Sequence, residues 1–77
     1  MIEFKKSPVP YGDQILRGHW VKHEDLGLVV ICCPGCGQLG TLRTHKILDD
    51  GTVHPSIVCT SPGCTFHDFG KLLDWKA

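Results

Sequence analysis

The sequence predicts a small all-β domain, and three observations carry that prediction. Its apolar residues come in short, β-branched runs such as Leu28 to Cys32, which suit strands and are too short for helices. Glycine and proline separate these runs at close intervals. The chain has 77 residues and five cysteines. A core of that size needs a covalent cross-link or a bound metal ion to be stable. We therefore expect an all-β fold whose stability depends on its cysteines.

The first 14 residues predict an extended N-terminal arm, and residues 15–77 predict a single domain. The arm contains Pro8, Pro10 and Gly12 and few large apolar side chains. Such a segment finds little to pack against by itself. We expect it to become ordered only when something packs on it.

The domain begins with a predicted strand, turn and strand over residues 15–32, where a polar segment interrupts two apolar runs. A further strand is expected over residues 42–47. Asp50-Gly51 is the strongest hairpin signal, because both residue types tolerate the positive φ that tight turns need. The return strand of that hairpin is predicted over residues 53–58.

The C-terminal segment TFHDFGKLLDWKA allows two interpretations. Phe69, Leu72 and Leu73 have helical spacing. Gly70-Lys71 equally fits the turn of a last hairpin. We predict a strand and keep the helix as the alternative.

Two cysteine pairs carry the candidate metal site, the first in CPGCG at residues 33–37 and the second in CTSPGC at residues 59–64. Sulfurs at this spacing meet one tetrahedral ion when the backbone between them turns tightly, and zinc sites use that arrangement. The glycines allow positive φ and bring N–H groups near the sulfurs. We predict one structural Zn²⁺. The predicted metal ligands are Cys33, Cys36, Cys59 and Cys64.

The fifth cysteine, Cys32, stands beside a predicted ligand. Side chains alternate along a strand, so Cys32 shares a face with Val30, and Cys33 shares the other face with Ile31. We assign Cys33 as the ligand and Cys32 as a small buried apolar residue. Two alternatives stay open: Cys32 replaces Cys33, or His67 replaces one of the sulfurs.

The sequence predicts that the protein is not an enzyme. A closed four-cysteine site leaves no coordination position for a substrate. Ser56 and Ser61 lack a recognisable nucleophile context, and Asp49 and Asp50 belong to a turn. We therefore expect no catalytic residue and no organic cofactor.

The net charge of the chain indicates which class of partner it binds. Lysine and arginine total 8, and aspartate and glutamate also total 8, whereas nucleic-acid binding normally requires a basic patch. We expect a protein partner, contacted by the N-terminal arm or by an aromatic surface. The aromatic candidates are Trp20, Phe66, Phe69 and Trp75. A nucleic-acid-binding alternative would use Arg17, Lys22, Arg43 and Lys46.

The predicted location is the cytoplasm. The start of the chain, MIEFKKSPVPYGDQ, has no apolar run after its lysines and does not match a secretory signal. No segment is long enough to cross a bilayer, so we expect no membrane association. In a reducing compartment, closely spaced cysteines are more often metal ligands than disulfides.

The two cysteine turns, joined by a predicted hairpin, resemble the zinc-ribbon fold group with its rubredoxin-like knuckles, over roughly residues 27–75. The resemblance implies a zinc ribbon of two knuckle-bearing hairpins. It implies little about function, because zinc ribbons serve transcription factors, polymerase subunits, ribosomal proteins and adaptors.

Two further implications concern origin and chemistry. The ending HPSIVCTSPGCTFHDFGKLLDW is similar to short uncharacterised zinc-ribbon proteins of tailed bacteriophages and prophages. That likeness implies a phage-encoded protein acting on a host protein in the host cytoplasm. A rubredoxin-like redox protein with iron is a further alternative, less favoured because only the first knuckle has the CPxCG form.

Overall fold

The computed structural model describes residues 1–43, 45–59 and 61–76, and within them the chain forms seven strands and no helix. The strands are β1 Ile2–Lys6, β2 His19–His23, β3 Leu28–Cys32, β4 Leu39–Leu42, β5 Lys46–Ile47, β6 Thr52–Val58 and β7 His67–Leu72. The predicted small all-β class is confirmed. A helix long and apolar enough to span a bilayer is absent from these residues.

All seven strands belong to one curled sheet in the order β4-β3-β2-β1-β7-β6-β5. β1 lies in the middle and runs parallel to both neighbours, whereas the other pairings are antiparallel. β4 and β5 lie at opposite ends of this order, although only residues 43–45 separate them. Because so short a connection spans at most about 15 Å, the sheet curls until its two ends approach each other.

The inner face of the curled sheet forms the hydrophobic core. Its buried residues are Phe4, Trp20, Val29, Ile31, Leu42, Val53, Ile57 and Leu72. Alternation along β3 directs Val29 and Ile31 into this core. Val30 and Cys32, on the other face of β3, are buried as well, so both faces of this strand are covered.

The structure differs from the expectation of an N-terminal arm with little order. Residues 2–6 form the central strand of the sheet, and the side chain of Phe4 is 0% exposed. Ile2 and Phe4 of this strand pack on the core, because alternation places both side chains on its inner face. The sheet therefore continues across the predicted boundary at residue 15.

The predicted hairpin at Asp50-Gly51 is confirmed. β5 and β6 pair antiparallel, with Ile47 opposite Val53. The Asp50 carboxylate accepts a hydrogen bond from the backbone N–H of Thr52 at 2.9 Å. That bond lowers the pKa of Asp50 below its ordinary value, because it favours the charged form.

The strand predicted over residues 42–47 needs correction. It is divided, since Leu42 ends β4 and Lys46 begins β5 at the other end of the sheet; Thr44 lies outside the described residues. The error arises because β4 and β5 belong to opposite edges of the sheet.

The hairpin predicted over residues 15–32 is confirmed, because residues 19–32 form the antiparallel pair β2 and β3. The C-terminal segment forms the predicted strand, β7, which pairs with β6, so the helical alternative is wrong. Gly70 and Lys71 lie within this strand, so the turn of a last hairpin is not located there. Pro55 lies where the register of β6 shifts between Val53 and Ile57, a position at which a sheet tolerates proline.

Gly51→Ala is expected to destabilise the protein by about 1–3 kcal/mol. Gly51 has a φ of +92°, and a Cβ there would overlap the carbonyl oxygen of Leu72. The Leu72 N–H donates to the Gly51 carbonyl at 2.8 Å, so neither backbone is free to move away. Urea unfolding of the metal-loaded protein measures the loss. Gly40→Ala is the control, since a Cβ there meets nothing within 4 Å; equal stability of both variants would contradict the described turn.

Candidate metal centre

The four predicted ligand cysteines meet between two hairpins. Cys33 and Cys36 lie in the connection from β3 to β4, and Cys59 and Cys64 lie in the connection from β6 to β7. Their four Sγ atoms all lie within 4.8 Å of one another. The structure thus forms a cluster that can hold a metal ion.

The separations of the sulfurs suit a tetrahedral ion. The Sγ atoms of Cys33 and Cys64 are 3.7 Å apart, and those of Cys36 and Cys59 are 3.6 Å apart. Four Zn–S bonds of normal length give a tetrahedron with edges of about 3.8 Å. All five cysteines are free thiols. The all-sulfur set favours zinc or iron over magnesium or calcium, and it fits a structural ion with four protein ligands.

Backbone hydrogen bonds shape the first cysteine turn. The Cys33 N–H donates to the Gln38 carbonyl, and the Gly37 N–H donates to the Cys33 carbonyl, both at 2.9 Å. Gly37 has a φ of +79°, which glycine adopts without a steric penalty. The Gly35 N–H points at the Cys33 Sγ at 3.4 Å. This last contact orients the sulfur and stabilises its thiolate form.

The second cysteine turn is held in a similar way. The Cys59 N–H donates to the Phe66 carbonyl at 3.0 Å, and the Cys64 N–H donates to the Ser61 carbonyl at 3.1 Å. The backbone N–H of Ser61 lowers the pKa of Cys59 to about 6.

The opposite holds for the other cysteine of this turn. The backbone N–H of Phe66 lowers the pKa of Cys64, but desolvation and the neighbouring thiols outweigh it and raise that pKa to about 12. Thiols this close oppose one another's ionisation, and a divalent cation removes that opposition.

Cys32 lies outside the four-sulfur cluster. Its side chain is 1% exposed, and its Sγ donates to the Gly37 carbonyl at 3.2 Å. Desolvation raises the pKa of the Cys32 thiol, although Arg17 opposes this shift. Cys33 thus joins the cluster and Cys32 does not, which agrees with the separation that strand alternation predicts.

The histidines make other contacts. The Nε2 of His67 is 2.7 Å from the Ser56 Oγ, on the exposed side of β6 and β7. The Nδ1 of His19 is 3.0 Å from the Arg17 carbonyl oxygen, and the Nδ1 of His23 accepts a backbone N–H. The clustered groups in the described part of the chain are all cysteines.

Arg17, predicted only as a contact in the nucleic-acid-binding alternative, belongs to the site. Its guanidinium donates to the Gly35 carbonyl at 3.1 Å, and its Nε would lie 3.0 Å from a Cβ on Gly37. It therefore packs on the first cysteine turn. Four thiolates and one divalent ion carry two net negative charges, which this cation offsets in part. No local spacing signal connects residues 18 positions apart.

Arg17→Ala is expected to weaken metal binding by about tenfold, because contacts behind the ligands orient them and balance their charge. Competition with a coloured zinc chelator measures the dissociation constant. Arg43→Ala removes an exposed arginine just after β4 and serves as the control. The assigned role of Arg17 fails if the two variants lose the same affinity.

The aromatic residues do not gather on one surface. Trp20 is in the core and only 4% exposed. Phe66 and Trp75 are half-buried and pack against the core. Phe69 is 55% exposed. Of the four aromatic candidates for partner contact, Phe69 is the most accessible.

A surface groove of about 520 Å³ lies between residues 6–11, β2 and residues 74–76. Trp20 and Trp75 line it with their ring centroids 5.5 Å apart. The described charged side chains of its lining are Lys6, Lys22, Lys76, Glu24, Asp25 and Asp74. Cations and carboxylates are thus equal in number, which is unlike a phosphate-binding surface.

Fold and cluster together define a class: a small all-β protein with a four-cysteine site that can hold a metal ion. Comparison with protein-family models, with curated proteins and with solved structures finds no match to this chain.

Proposed function

We propose that the protein is a zinc ribbon with one structural Zn²⁺, and that it is a non-enzymatic interaction module for a protein partner. The observation that carries this proposal is the closed cluster of four sulfur ligands. A tetrahedral ion bound by four cysteines has no position for water or substrate. The site then maintains the fold, and function depends on the surface.

The contacts outside the cluster support binding rather than catalysis. The one serine hydroxyl that contacts a histidine ring in the described hydrogen bonds, that of Ser56 beside His67, lies on the exposed side of β6 and β7. Catalytic groups normally lie in a concave pocket that excludes water. An exposed pair of this kind is better explained as a cross-strand surface contact.

Charge supports a protein partner over nucleic acid. The chain is neutral overall, and the groove beside β2 has equal numbers of cations and carboxylates in its described lining. The guanidinium of Arg17 is engaged with the first cysteine turn. Several large apolar side chains are exposed instead, namely Met1, Tyr11, Leu16, Leu26, Leu39, Val58 and Phe69.

The proposed location is a reducing cytoplasm, because five free cysteines and a thiolate site persist under reducing conditions. We also propose, from the resemblance of residues 54–75 to phage zinc-ribbon proteins, that the protein is phage-encoded and acts on a host protein.

Metal analysis tests the first half of the proposal. Purified protein is expected to be colourless and to contain one zinc per chain. A coloured protein that contains iron would instead support the redox alternative and contradict the zinc assignment.

Cross-linking in a bacterial lysate tests the second half, with the zinc-loaded chain as bait and an unfolded Cys36→Ser, Cys64→Ser bait as control. A specific protein retained only by the folded bait, also after nuclease treatment, supports the proposal. Retention that nuclease abolishes favours the nucleic-acid alternative, and no specific retention contradicts the interaction module.

A further inference from the structure

The curled sheet leaves a slot between β4 and β6. β4 ends the strand order, and in the described chain no strand borders its outer edge. At the other end, β5 pairs only with Val53 and His54 of β6, so the second half of β6 also has an edge without a described partner strand. Leu39–Thr41 and residues 57–59 line one cavity of about 240 Å³. Two open sheet edges therefore border the same space.

The register shows which backbone groups each edge presents. On β4, the Gln38 carbonyl bonds to β3, so Leu39 and Thr41 turn their N–H and C=O groups into the slot. On β6, the Cys59 N–H bonds to the β7 side, so Val58 turns its groups into the slot. Such groups need hydrogen-bond partners when they are covered.

His45 marks one end of the slot. Its Nε2 is 3.2 Å from the Ser56 carbonyl oxygen, which is the neighbouring outward-facing acceptor on β6. Because Nε2 donates here, Nδ1 is an acceptor; it is buried and has no partner among the described residues. The Ser56 carbonyl on the edge of β6 thus accepts a hydrogen bond from a side chain, where a neighbouring strand would otherwise supply the donor.

The described lining of the slot contains no aspartate, glutamate, lysine or arginine, and it combines apolar side chains with neutral polar ones and with the ligand cysteines Cys33 and Cys59. Ile31, Ile57 and Phe66 form its apolar floor. Leu39 and Val58 are 49% and 56% exposed, and the register places both on the outer face, one on each edge. An occupant should therefore present apolar side chains on both of its faces.

We propose that this slot binds an uncharged, extended segment of a partner protein, which adds a strand between β4 and β6 and closes the sheet. Its main chain bonds to both edges, and alternate side chains contact the floor and the outer pair Leu39 and Val58. This inference rests on the proposed function, since it names the class of partner. A strand inserted between β4 and β6 must have both of its edges free. A strand of a second copy fits poorly, because every described strand already pairs on at least one edge.

A displayed library of linear peptides of about ten residues, selected on the zinc-loaded full chain, tests the slot. Enriched peptides are expected to alternate apolar residues and to lack charge at their centre. Leu39→Lys and Val58→Lys are each expected to weaken the binding of an enriched peptide by about tenfold or more. Leu26→Lys is the matched control, because Leu26 is also exposed but lies in the turn between β2 and β3. Zinc content confirms that each variant is folded.

Amide hydrogen exchange gives a readout that a folding defect would not imitate. The amides of Thr41 and Val58 are expected to exchange fast in the free protein and slowly with peptide bound. Slow exchange in the free monomer, or enriched peptides that bind all three lysine variants equally, would overturn the slot. A concentration-dependent dimer that protects the same amides would overturn it in favour of a second copy. A lysate partner retained equally by wild type and Leu39→Lys would overturn the slot alone and leave the interaction module intact.

Discussion

Removal of the metal is expected to unfold the chain. A structural zinc ion contributes on the order of 10–16 kcal/mol in small finger peptides, and a small domain has a total stability of about 5–15 kcal/mol. Here the four sulfurs join the β3–β4 connection to the β6–β7 connection. These connections lie in different halves of the sheet, so loss of the ion removes a link between the halves other than the pairing of β1 and leaves four close thiols.

Far-ultraviolet circular dichroism and amide NMR spectra during chelation measure this effect, and added zinc should restore the native spectra. Cys64→Ser is expected to lose the fold in the same way. Cys32→Ala is the matched control: this cysteine is buried but outside the cluster, so the variant should keep one metal ion per chain. Native spectra for the metal-free chain would show that the sheet does not depend on the site.

Phe4→Ala is expected to destabilise the zinc-loaded protein by about 3–5 kcal/mol, the usual loss for a fully buried phenylalanine. Phe4 is 0% exposed and lies at the centre of the strand order. The absence of a side chain at Gly70 on β7 leaves space for the Phe4 ring, because a Cβ at residue 70 would lie only 3.2 Å from that ring. Truncation therefore opens a cavity that both neighbouring strands border.

Urea unfolding at saturating zinc measures the change in the free energy of unfolding. Tyr11→Ala is the control within the same N-terminal segment, because Tyr11 is 47% exposed and should cost less than about 1 kcal/mol. If both variants were equally stable, residues 1–6 would be the peripheral arm that the composition predicts rather than the centre of the sheet.

Much of the site was predictable because its geometry is local. The two glycine-rich cysteine turns need only the spacing within each pair and a residue that tolerates positive φ, as Gly37 and Gly63 show. The separation of Cys32 from Cys33 needs only alternation along one strand. The hairpin at Asp50-Gly51 likewise depends on neighbouring residues.

Other features depend on partners far away in the chain. Arg17 reaches the first cysteine turn only because the segment before β2 folds back over it. Leu42 and Lys46 look like one strand in the sequence, but they lie at opposite ends of the sheet order. No short sequence window contains the contacts that decide these arrangements.

The all-β class, the hairpins and the two cysteine turns could be predicted because strand alternation and tight turns are set by residues a few positions apart. The central position of residues 2–6 and the open slot between β4 and β6 could not, because they depend on pairing between distant segments. A parallel strand such as β1 pairs with segments distant in sequence, and its two inward apolar residues become core only once those segments enclose them. The physical reason is that the burial of a side chain depends on the assembled sheet, whereas the geometry of a turn depends on a few neighbouring residues.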